Sequence, residues 1–166
     1  MKIRLVKLIR PSSEKISFYT VYYNSADITL YEEFIYKFQN SHRHQVDLIK
    51  LSIASMGGYT GAHKTFFVPA NILPGDDVYY LRLQDHFWLR LFFIVYNENL
   101  VIIGSGGLSS KGAVSEDANN SVIEENIKMN KIAILIKEKL AEGEIYMSSN
   151  KMNFIGSLEL DNDNKL

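Results

Sequence analysis

The chain has 166 residues, 46% of them hydrophobic and 12% aromatic, with no cysteine and a formal net charge of −1. That is the length of one domain able to build a real core. It excludes a disulfide framework and a thiolate metal site, and no apolar run approaches the roughly 18–20 residues that span a bilayer.

In chain order, the first segment is basic. Lys2, Arg4, Lys7 and Arg10 interrupt every apolar run of residues 1–11, so the segment reads as an edge strand and not as a signal peptide. A cytoplasmic protein is expected. Residues 16–24 are β-branched and aromatic, the composition of a first full strand. Ser25 or Asp27 can cap a helix reaching Asn40, with Ile28, Tyr31, Phe34, Ile35 and Phe38 on one face. A second helix is expected over residues 43–56, with Val46, Ile49 and Ile53 inward and Gly57-Gly58 as its stop. Residues 57–77 form a Gly- and Pro-containing loop. A small-residue loop follows at 105–117, then a third helix over 121–141 carrying Ile123, Ile127, Ile132, Leu135 and Ile136. Residues 1–143 make the domain. Residues 144–166 are a C-terminal extension, frayed from Asp161 onward.

Residues 78–104 carry the strongest signal. The polar breaks Gln84-Asp85-His86 and Asn97-Glu98-Asn99 divide them into a three-stranded antiparallel meander. A turn centred on His86 sets Leu83 against Leu89, Leu81 against Leu91 and Tyr79 against Phe93 on one apolar face. A slip by one residue would bury an arginine, so the apolar face selects the register. Centring the second turn on Glu98 continues that face through Val95, Val101 and Ile103. The opposite face then carries Tyr80, Arg82, Trp88, Arg90 and Phe92 toward solvent, with Arg82 across from Arg90 and Gly106 leaving open space beside Arg90. Like charges facing each other across a ladder are destabilising, unless an anion such as a phosphate sits between them.

Charge is uneven along the chain. Residues 1–115 hold 12 Lys and Arg against 9 Asp and Glu, and residues 116–166 hold 6 against 10. A basic body with an acidic end fits a local phosphate-binding surface; ordinary scatter explains so small an imbalance equally well.

The order strand, helix, helix, meander, helix is an α+β layer arrangement. In that order, the spacing of VYYLRLQDHFWLRLFFIVYNENLVIIGSGGLSSKG resembles the RelE/HigB-type toxin superfamily, nearest the phage-derived HigB-like branch, over roughly residues 16–141. The resemblance implies a RelE/ParE-like antiparallel four-stranded sheet with two N-terminal helices on one face and a C-terminal helix. It also implies the toxin of a type II toxin–antitoxin system: a metal-independent messenger RNA endoribonuclease acting on the ribosome and neutralised by a cognate antitoxin, with no cofactor. A non-catalytic binding protein on the same scaffold, or a gyrase-inhibiting ParE-like toxin, is the alternative.

Cleavage of RNA by its own 2′-hydroxyl needs a base, cations on the phosphorane charge and an acid for the leaving oxygen. Arg82 and Arg90 suit the second task because a guanidinium holds phosphate oxygens in a bidentate way. Lys111 takes the third cationic place, and His86 titrates near neutral pH. Tyr80 and Trp88 are candidates for stacking on splayed bases, and Lys64 for a further RNA contact. Each has a plainer reading: an exposed sheet face for the arginines, a turn for His86, packing for Trp88. His42 and His44, two apart with no third ligand, do not make a metal site. Ser105-Gly106-Gly107 has no Asp or His placed to activate the serine. The run Glu124-Glu125 with Lys128 reads as a solvated helix face supported by an i, i+4 pair, Glu124–Lys128.

Overall fold

A computed structural model describes residues 1–70, 77–83, 88–109 and 116–162, with the backbone alone for 116–120. The strands are β1 (Lys2–Leu8), β2 (Ser17–Tyr23), β3 (Phe67–Pro69), β4 (Val78–Leu81), β5 (Leu89–Asn97), β6 (Leu100–Leu108), β7 (Ile145–Met147), β8 (Phe154–Gly156) and β9 (Glu159–Asp161). The helices are α1 (Leu30–Phe38), α2 (Arg43–Ser55) and α3 (Glu116–Glu142).

The expected four-stranded antiparallel, RelE/ParE-like sheet is overturned. The main sheet has seven strands in the order β3-β4-β5-β6-β2-β1-β9, and β2 runs parallel to β6. Two features of the sequence hid this. The basic segment β1 is not an edge: Ile3 and Leu5 alternate inward, and the strand lies between β2 and β9. The chain after residue 143 also returns to the sheet, since Leu160 pairs with Ile3 and Asp161 with Lys2. β7 and β8 form a separate hairpin in which Tyr146 faces Ile155.

Both faces of the sheet are covered. Phe34, Phe38, Val46, Ile49 and Ile53 of α1 and α2 pack with Phe18, Leu81, Leu91, Phe93, Val101 and Ile103. On the other face Met129, Ile132, Leu135 and Ile136 of α3 pack with Val21, Phe92, Ile94 and Ile102. The expected solvent-facing side of the meander is therefore a second core, because Phe92 and Ile94 supply an apolar side that α3 covers. Phe92, Phe93 and Ile94 are all buried, as strands sandwiched between helix layers require.

Within the meander the register follows the apolar pattern. Tyr79 pairs with Phe93, Val95 with Val101 and Phe93 with Ile103. Beyond Phe93 it shifts. Leu91 pairs with Gly106 and Arg90 with Gly107, so Gly104 and Ser105 together oppose Phe92 in a β-bulge. α1 starts later than its candidate caps Ser25 and Asp27: Thr29 accepts from the Glu32 N–H while Glu32 bonds back to the cap, a closed capping box.

Candidate functional site

Among the described residues, no strand pairing sets Arg82 opposite Arg90. The β4–β5 pairing ends at Tyr80↔Phe92, short of Arg82. Arg82 is exposed, and its backbone N–H donates to the Phe66 carbonyl at the β3 side. That places it near the short turn carrying Lys64, which is also exposed. Arg90 lies on the α3 side with its guanidinium 4.5 Å from the centre of the Tyr80 ring. A Cβ at Gly106 would overlap the Arg90 carbonyl oxygen, and the actual partner, Gly107, lies against Ser121 and Val122 of α3. Trp88 is half-buried, and the backbone N–H groups of Trp88 and Leu89 both donate to Gln45 Oε1, which ties the start of β5 to α2. His86 and Lys111 lie outside the described residues.

Another cluster forms where β2 and β6 part. Their pairing ends at Tyr19↔Ile102. Beyond it the Thr20 hydroxyl donates to the Ile103 carbonyl at 2.8 Å. From here β2 leads to α1 and α2 on one face, and β6 leads to α3 on the other. Among the printed pairings of the main sheet, β2 with β6 is the parallel one, and the helices that follow these two strands lie on opposite faces. α1 and α3 meet across the gap, where Lys37 Nζ donates to Ser121 Oγ at 3.2 Å.

The bulge aims a side chain into this junction. Before it, Ile103 faces α1 and α2; after it, the odd-numbered Ser105 and Gly107 face α3. Ser105 is buried, and its hydroxyl donates to Glu125 Oε2 in a short hydrogen bond. The other oxygen, Oε1, lies 3.1 Å from Lys128 Nζ. Side-chain exposure is 13% for Glu125 and 22% for Lys128, so the pair is screened yet reachable. Lys128 Nζ also stands 5.1 Å from the ring centre of Tyr23, the last residue of β2. The expected Glu124–Lys128 surface pair is thus replaced by Glu125–Lys128, one turn apart and turned inward.

The arrangement joins a carboxylate with two donors, an ammonium and an aromatic ring at a strand terminus. It can accept a proton at Glu125, hold negative charge at Lys128 and pack a planar group on Tyr23. Among the described residues no group of three or more His, Asp or Glu gathers as a metal site would. No helix among them is long and apolar enough to cross a membrane.

No family model matches the chain, and comparison with curated proteins and with solved structures finds no match. The resemblance to RelE/HigB-type toxins therefore rests on the spacing of the arginine segment alone.

Proposed function

We propose that this chain is a metal-independent RNA endonuclease whose centre is Glu125 and Lys128 at the β2/β6 junction. The observation that carries the reading is the Glu125 carboxylate fixed between the Ser105 hydroxyl and the Lys128 ammonium. Glu125 takes the proton of a ribose 2′-hydroxyl. The 2′-oxygen bonds to phosphorus, the bond from phosphorus to the 5′-oxygen breaks, and solvent protonates the departing oxygen. In this reading Lys128 balances the developing phosphorane charge, a contact that strengthens in the transition state. Tyr23 offers a stacking surface. The Arg90–Tyr80 pair, on the same side of the sheet, adds a cation toward the N-terminal part of α3.

Cleavage of message in the cytoplasm would arrest growth, and a small partner covering the junction would silence it, the setting of a toxin–antitoxin pair. Expression of the chain in bacteria tests this: growth slows with the wild type and does not with Glu125→Gln. Equal growth for both would refute it.

A second reading, a non-catalytic binding protein, has its own support. Ile123, Ile127 and Ile134 of α3 are 51%, 51% and 56% exposed, and Tyr146 of the hairpin is 53% exposed. Exposed apolar groups of this size suit contact with a protein partner.

A further inference from the structure

We propose that a cavity beside Tyr23 is a phosphate subsite for the nucleotide that flanks the one at Glu125; the inference rests on the RNA reading above. The cavity measures about 470 Å³ and is lined by Tyr23, Asn24, Lys131, Leu135, Glu138 and Asn162, among others. It adjoins the centre, because Tyr23, whose ring faces Lys128, is also one of its lining residues. Lys131 lies one turn beyond Lys128 on α3, about 4.5 Å along the helix axis, and is exposed.

The hydrogen-bonding character of the lining selects the ligand. Asn24, in the left-handed region at φ 49°, accepts from the Lys2 N–H through Oδ1 at 3.0 Å. Asn162 Oδ1 accepts from the Met1 amino group, also at 3.0 Å. Each of these amide oxygens already accepts one bond, and each asparagine also carries an NH₂ donor for a ligand. Together with the Lys131 ammonium these make a donor-rich wall, against which the described lining residues set one carboxylate, that of Glu138. An acceptor-rich anion matches such a wall, and the phosphate of an adjoining nucleotide is one that a strand passing Glu125 carries with it. The cavity on the opposite face does not share this bias: Lys2 and Arg4 there are matched by Asp27 and Glu159.

The subsite makes binding depend on strand length. The test uses the full chain and fluorescein-labelled 2′-O-methyl uridine oligomers, which bind but cannot be cut, with anisotropy as the readout. The hexanucleotide should bind more tightly than the dinucleotide. Lys131→Glu and Asn24→Ala should each weaken the hexanucleotide about ten- to a hundredfold, the scale of one lost charge-assisted hydrogen bond, and remove its advantage over the dinucleotide. Unchanged hexanucleotide affinity in both variants would overturn the subsite and leave the RNA reading standing. Failure of the wild type to bind either oligomer would overturn both.

Discussion

Ser105 donates its hydroxyl proton to Glu125 across the junction of sheet and helix, although an odd-numbered residue of β6 belongs by alternation on the opposite face. The bulge that opposes Gly104 and Ser105 to Phe92 reverses the parity of the strand from that point on. One inserted residue thus turns a serine from one core toward the other. Bulges serve this purpose beside functional sites, where they re-aim a side chain without ending the strand.

The same strand sets an order of stabilities. Leu91 is fully buried between β5 and the α1/α2 layer, so Leu91→Ala should cost roughly 2–5 kcal/mol. Arg90 contributes a half-exposed contact with the Tyr80 ring, worth about 0.5–1 kcal/mol. Arg90→Ala should therefore be the milder change. Urea unfolding midpoints measure the order, and a greater loss for Arg90→Ala would make the arginine a structural anchor.

Two glycines of β6 should differ in their tolerance of a methyl group. A Cβ on Gly106 meets the Arg90 carbonyl, which is backbone of the neighbouring strand and can move only with it. A Cβ on Gly104 meets mainly the end of the flexible Met129 side chain, with the Phe92 carbonyl next at 3.3 Å. Gly106→Ala should lower the melting temperature more than Gly104→Ala, with a loss of about 1–3 kcal/mol for overpacking at Gly106. Equal melting temperatures would mean that the strands separate there at little cost.

The pairing of β4, β5 and β6 could be read from residues 78–104, because apolar side chains repeat at period two and arginines forbid the alternative register. What the pattern could not give was the number of layers. Arg82 and Arg90 share the parity of Phe92, Ile94 and Ile102, so the pattern alone points that face to solvent. The structure shows that α3 covers those three residues, while Arg90 stays at its margin against Tyr80. Long-range pairing was equally hidden: nothing local in Lys2–Leu8 announces a parallel neighbour of its partner strand or a return by Glu159–Asp161. The contact of Ser105 with the Glu125–Lys128 pair is hidden for a sharper reason. Glu125 and Lys128 looked like ordinary charges of a helix face, and the bulge that brings Ser105 to them is not encoded by any alternation. The signal that was available is the run Gly104-Ser105-Gly106-Gly107, since glycines inside a strand mark bulges and close approaches.

Alkaline pH gives a test of the α1 packing. Burial pushes the Tyr31 phenol up to about 12 from its ordinary 10.0. The neutral phenol is favoured in the folded state, so its contribution is fully present below pH 10 and is lost as pH rises toward 12. Tyr31→Phe, which has no proton to lose, should hold its stability better than the wild type across that interval. Parallel curves of unfolding free energy against pH would place the Tyr31 hydroxyl in water.

The central claim is that Glu125 is the base of an RNA-cleaving centre. Its most direct test is the single-turnover cleavage rate of a 5′-labelled RNA oligomer in the presence of EDTA, for the wild type and for Glu125→Gln, with matched urea midpoints as the control for folding. The wild type should yield fragments ending in 2′,3′-cyclic phosphate, and Glu125→Gln should be slower by about 10²–10⁴. Equal rates in the two proteins, or intact RNA with both, would contradict the account.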